Sequence, residues 1–139
     1  MATLYSVIKT LESIALRQPN IRSAGENDLY NFMNGNPEIQ YGVFYITQGQ
    51  HKSTDEWDYW SLNLFVIDRI TDNRENELRV ESTAKQILDN IVETFCGQYS
   101  AEVVGERVYQ PFVESFKDRC AGIVLTLRIM MPKDIICPE

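Results

Sequence analysis

The stretch Trp57-Asp58-Tyr59-Trp60-Ser61-Leu62-Asn63-Leu64-Phe65-Val66-Ile67 decides the fold. Side chains alternate across an extended strand, so Trp60, Leu62, Leu64 and Val66 share one face and Ser61, Asn63, Phe65 and Ile67 the other. The first set is wholly apolar and needs a cover. Upstream, residues 39–47 set Tyr41, Val43 and Tyr45 against Gly42, Phe44 and Ile46. Both sets are apolar, so this strand is expected to be covered on both faces. The polar loop 48–56 separates the two runs, which are expected to pair as a long hairpin.

Helices flank the hairpin. Residues 4–18 repeat Leu4, Ile8, Leu11 and Ala15 at helical spacing, with Val7 and Ile14 widening the stripe. Thr3 is suited to cap the start, and Pro19 ends the helix. After the hairpin, Asp72-Asn73-Arg74-Glu75 reads as a capping-box variant. It opens a helix whose core stripe is Val80, Ala84, Ile87, Leu88, Ile91, Val92 and Phe95, with Gly97 as its stop. Residues 101–109 and 123–131 supply two more strands, the last ended by Pro132. Between the first helix and the hairpin, residues 20–37 read as a long loop holding one short helical turn near Asp28–Met33.

The predicted fold class is therefore α+β. Its order is α-β-β-α-β-β, an antiparallel sheet of about four strands with two helices packed on one face. Residues 1–139 form one domain, with 132–139 a candidate docking tail through the apolar Ile135-Ile136-Cys137, or a segment that tucks against the domain. On the other sheet face Tyr41, Phe65, Ile67 and Met130 lie beside Ser61, Asn63, Thr126 and Arg128, a half-apolar surface that asks for a partner.

Composition excludes several functions. Thirteen basic against twenty acidic residues leave a net charge of −7 and no basic run for wrapping nucleic acid. No apolar stretch approaches the roughly 20 residues of a membrane span, and Met1-Ala2-Thr3-Leu4, with no charged region followed by an apolar run, leads us to expect no signal peptide. Cys96, Cys120 and Cys137 show no metal or disulfide spacing, which predicts free thiols in a reducing compartment. The lone histidine, His51, reads as a solvated loop residue, and no phosphate-cradling glycine loop or serine elbow accompanies it. Asp68 before Arg69 reads as a strand-ending salt bridge, and Glu114 with Lys117 as an acid–lysine pair lying off a common strand face. The expectation is no enzyme, no cofactor and no metal. The acidic cluster Asp55, Glu56 and Asp58 and the apolar Trp57, Tyr59, Phe65 and Ile67 are the candidate interface residues.

One resemblance runs through these segments. Leu64-Phe65-Val66-Ile67-Asp68-Arg69-Ile70-Thr71-Asp72-Asn73-Arg74-Glu75-Asn76-Glu77-Leu78, leading into Val80-Glu81-Ser82-Thr83-Ala84-Lys85-Gln86-Ile87-Leu88, resembles a strand-to-helix passage of tail-terminator, or tail-completion, proteins of tailed bacteriophages. Pro111-Phe112 and Phe116-Lys117-Asp118-Arg119-Cys120-Ala121-Gly122 are similar too. The likeness covers nearly the whole chain and consists of packing patterns; segments 20–37 and 48–56 carry no matching motif. It implies a structural virion protein, made in the bacterial host cytoplasm, forming a hexameric or dodecameric ring at the head–tail junction. Such a ring joins portal or adaptor proteins to the tail, and DNA passes its lumen without sequence-specific binding. Two other readings of the residues stand beside it: a small α+β binding module using the open sheet face, and a carboxylate-based metal nuclease.

Overall fold

The computed structural model describes residues 3–26, 29–34, 42–70, 74–98, 102–115 and 119–132. In chain order the elements are α1 (Leu4–Leu16), β1 (Ser23–Glu26), α2 (Leu29–Asn34), β2 (Val43–Gln48), β3 (Lys52–Ser53), β4 (Trp57–Arg69), α3 (Arg74–Gln98), β5 (Glu102–Val103), β6 (Val108–Ser115) and β7 (Arg119–Pro132). The fold is α+β. Its two long helices and a mixed seven-strand sheet replace the expected four antiparallel strands.

The backbone of the sheet is the antiparallel β4–β7 ladder, which runs from Trp57 opposite Pro132 to Arg69 opposite Cys120. Since β7 occupies one side of β4 throughout, β2 and β3 must follow one another along the other side. By the same reasoning β6 and β5 share the free side of β7. Four columns are therefore present as expected, but the loop expected over 48–56 is corrected: it holds β3, which pairs with β4. The third expected strand, 101–109, is corrected to two pieces. Gly105, at φ 73°, turns the chain between β5 and β6, a backbone state that glycine alone adopts without strain. β6 then continues to Ser115 through Pro111, which is tolerated because β6 has a strand neighbour on one side only.

The fifth column, β1, was unforeseen. It lies parallel to β2, with Ser23 opposite Val43 and Glu26 opposite Ile46. A parallel pair needs a crossover, and the connection from 27 to 42 supplies it with α2 on the way. The tetrapeptide Ser23-Ala24-Gly25-Glu26 has no apolar alternation, and all four residues are half-buried.

Both long helices cover one face. Thr3 caps α1 as expected and forms a reciprocal box with Ser6. Val7, Ile8, Leu11, Ile14 and Ala15 of α1 meet Ala84, Ile87, Leu88, Ile91, Val92 and Phe95 of α3 over the inward residues of β2, β4 and β7. Val80, also expected in that stripe, is half-buried. At 25 residues α3 is about 37 Å long, and the 13 residues of β4 reach about 43 Å, so the helix spans most of the ladder. Gly97 lies inside the last turn of α3, which ends one residue later at Gln98. The expected cap Asp72 lies outside the described residues.

Candidate interface

A second, smaller core occupies the opposite sheet face. Leu29 and Met33 of α2 bury Val43, Tyr45, Ile67 and Cys120, with Phe32, Phe65 and Phe112 packed around them. Phe32 tilts onto Tyr45 at 5.1 Å between ring centres, and Phe65 meets Phe112 edge-on at 5.4 Å. The ring of Phe32 also closes over Gly25, where a methyl group would come within 2.9 Å of both Phe32 and Tyr45. The apolar half of this face is thus covered by the chain's own helix. Of the candidate interface residues, Ile67 is fully buried here and Phe65 half-buried. Tyr41 lies outside the described residues.

The other half of the face is polar. Asn63 Nδ2 donates to Thr47 Oγ1 at 3.2 Å, and Thr126 Oγ1 donates to Asn63 Oδ1 at 3.3 Å. Beyond them a hollow of about 760 Å³ is lined by Gln50, Lys52, Ser53, Thr54, Tyr59, Ser61 and Arg128. Tyr59 sits between Lys52 on β3 and Met130 on β7.

The hairpin arm carries the remaining candidates at its end. Thr54 and Trp57 close the turn: the Thr54 N–H donates to the Trp57 carbonyl at 2.8 Å, and the Trp57 N–H donates to Thr54 Oγ1 at 3.1 Å. Asp55 and Glu56 are exposed at the tip. Asp58 turns inward and accepts from Ser53 Oγ at 2.8 Å. Trp57 and Tyr59 are half-buried. Three carboxylates and two aromatic rings therefore share one arm of the molecule, while Phe65 and Ile67 belong to the α2 core.

His51, expected as a solvated loop residue, does lie in the loop before β3, where it is half-buried and hydrogen-bonded at both ring nitrogens. Its Nδ1 accepts the Ser61 backbone N–H at 3.2 Å, so the proton sits on Nε2, which donates to Gln48 Oε1 at 3.0 Å. The ring meets Trp60 edge-on at 5.4 Å. The sequence signal was weak, because neither partner is spaced like a catalytic or ligand motif.

Two further polar groupings escaped the sequence reading. Between α3 and β6, the Tyr109 hydroxyl donates to Asp89 Oδ1, and Lys85 reaches Asp89 Oδ2 at 2.8 Å and lies over the Tyr109 ring at 4.7 Å. Burial pushes the Asp89 carboxyl up, but the Lys85 and Tyr109 hydrogen bonds outweigh it and hold Asp89 below the ordinary value. Arg107 pairs with Glu93 at 3.3 Å beside Cys96, whose thiol is pushed up by burial against the pull of Arg107. That shift favours the thiol over the reactive thiolate. The second grouping is a cleft of about 700 Å³ where the 19–22 turn, the end of β4 and the first half of α3 meet. Arg22, Arg69 and Arg79 line it together with Asp68, and the nearly buried side chains of Ile21, Val66 and Ile87 lie beneath them. Asp68 Oδ1 accepts the backbone N–H of Arg69 at 2.8 Å.

Among the described residues no three His, Cys, Asp or Glu side chains gather as a metal site, and no helix is long and apolar enough to cross a membrane. Cys96 and Cys120 form no disulfide among the described residues, and Lys117 lies outside them. Compared with known proteins, the chain matches no family model and no curated sequence.

Proposed function

We propose that the protein is a structural ring subunit of a tailed phage, a head–tail connector or tail terminator that joins the portal-side assembly to the tail. The observation that carries this reading is the β4–β7 ladder. It extends past the α2 core into an arm whose second face carries Ser61, Asn63 and Thr126 and which ends in the acidic tip Asp55-Glu56. The two long helices on one face and the short α2 on the other, with β1 and β6 as outer strands among the described residues, leave surfaces for neighbours on both flanks. Val108 and Val113 on β6 are exposed apolar side chains on such an edge.

A net charge of −7 fits a channel wall past which DNA slides, since like charge opposes adhesion. In this reading the hairpin tip faces the lumen and the ring is hexameric or dodecameric. Replacing Asp55, Glu56 and Asp58 with lysine should leave the rings intact, as seen by electron microscopy, while DNA delivery by phage carrying the variant falls. Normal delivery with lysines at the tip would count against the acidic-lumen part of the reading.

The second reading is a small binding module. The hollow bounded by Lys52, Tyr59 and Arg128 favours it, setting two cationic side chains beside an aromatic ring. A protein that stays monomeric and shows saturable binding lost in Arg128→Ala would support that reading over the ring.

A further inference from the structure

Toward the end of the arm the polar half of the sheet face gives way to apolar side chains. Trp57 and Tyr59 of β4 stand opposite Pro132 and Met130 of β7, and opposed residues of an antiparallel ladder share a face. Trp57, Tyr59 and Met130 are half-buried, Pro132 is exposed, and none of them belongs to the α2 core. Lys52 flanks this strip beside Tyr59, and Glu102 flanks it beside Met130. On the same face, one row further along, Arg128 lines the hollow with Lys52 and Tyr59. Lys52 and Arg128 are exposed and make no ion pair among the described residues, so the hollow sets two unpaired cations beside an apolar strip.

The residues that follow the ladder complement this surface. Lys133-Asp134-Ile135-Ile136-Cys137-Pro138-Glu139, outside the described part of the chain, brings two adjacent isoleucines with a carboxylate on either side. Reach favours the chain's own hollow. From Pro132, the Tyr59–Met130 row is two strand positions back, about 7 Å, and the Ser61–Arg128 row is four, about 13 Å. Ile135 and Ile136 follow Pro132 by three and four residues, which span about 10–14 Å when extended, and Glu139 follows by seven, about 24 Å. A turn at Lys133-Asp134 therefore suffices to bring the isoleucines over the strip and the carboxylates to the cations. The arginine-lined cleft begins at Val66, opposite Ile123, about 30 Å along the ladder and beyond the reach of either isoleucine.

We propose that residues 133–139 fold back over their own arm, with Ile135 and Ile136 on the Trp57–Tyr59–Met130 strip and Asp134 and Glu139 toward Lys52 and Arg128. The segment is then a strap that fills the hollow. Any ligand or neighbour using the hollow binds only the fraction of chains whose strap is released, and its apparent affinity falls by that fraction. The strap rests on neither the ring nor the binding-module reading, because one chain supplies both the segment and the surface.

Gln50 is an exposed residue lining the hollow, and Cys137 follows the two isoleucines. The test places Gln50→Cys in a full-length Cys96→Ala background, adds a short bis-maleimide cross-linker, and separates single-chain from multi-chain products on denaturing gels. Cross-links within single chains are expected, and Cys137→Ser should abolish them. Thr83→Cys, exposed on α3 beside the distant cleft, should give at least about tenfold less single-chain product. Ile135→Ser with Ile136→Ser should lower the Gln50→Cys yield about tenfold. Lys52→Glu with Arg128→Glu should lower it about threefold, and adding Asp134→Lys with Glu139→Lys should restore it. Equal single-chain yields from Gln50→Cys and Thr83→Cys, or products only between chains, would overturn the strap. The mass in solution reads the ring separately: a discrete oligomer without single-chain product would overturn the strap and leave the ring.

Discussion

Gly122 of β7 lies opposite Ile67 of β4, and a methyl group at Gly122 would overlap the Val66 carbonyl oxygen and stand 2.8 Å from its carbonyl carbon. The obstacle is backbone in the central ladder, which cannot swing aside as a side chain can. Gly122→Ala should therefore destabilise the fold by about 1–3 kcal/mol, the cost of forcing atoms into a packed interior. Gly97, in the last turn of α3, has open space around it. Gly97→Ala should instead stabilise by about 0.4–1 kcal/mol, through helix propensity and a less free unfolded chain. Urea midpoints of the two variants should move in opposite directions.

The Tyr109–Asp89 hydrogen bond ties β6 to α3. Tyr109→Phe should cost about 1 kcal/mol at neutral pH while keeping the ring's packing. Asp89 is held below its ordinary value of 3.8 in the fold, against the effect of burial, by Lys85 and Tyr109. Its contribution is full above that unfolded value and fades as pH falls through the lower folded one. The difference between wild type and Tyr109→Phe, measured by urea unfolding, should shrink when the pH is taken from 7 to below the Asp89 value.

Glu12 should show the opposite sign. Its Oε1 is buried with no hydrogen-bond partner among the described residues, and burial raises its carboxyl above the ordinary 4.5 despite Lys9 at 3.5 Å. A raised carboxyl favours the fold below the unfolded value and loses that benefit as pH rises through the folded one. At pH 7 the ionised side chain is a burden. Glu12→Gln should raise the urea midpoint at pH 7, and the gain should disappear below pH 4.5.

His51 holds the Ser61 amide through Nδ1. His51→Ala should remove that bond and the one to Gln48, about 1–3 kcal/mol together, and the loss should be local to the hairpin arm. Hydrogen exchange at Ser61 should speed up while exchange at Leu64 and Leu88, deep in the main core, changes only by the global loss. Equal acceleration everywhere would show that the arm unfolds with the core.

The main core was legible because it follows two clean periods. The alternation Trp60-Leu62-Leu64-Val66 and the α3 stripe from Ala84 to Phe95 both point inward as read, and Thr3 caps α1 as expected. The apolar character of both faces of β2 was legible as well, and α2 explains the second cover. What failed to show was short or non-local. β1 carries no alternation, and β3 is a two-residue strand identified only by its partners Tyr59 and Asp58. The glycine break at Gly105 hid where one strand ended and the next began. The arginine cleft draws Arg22, Arg69 and Arg79 from three separate segments, so no local motif could announce it.

The ring reading requires the chain to assemble with copies of itself. The most direct measurement is the molar mass of the purified full-length protein by light scattering after size exclusion, over a concentration series. A single discrete mass of six or twelve chains, held across the series, is the expected result. A monomer at every concentration would contradict the account.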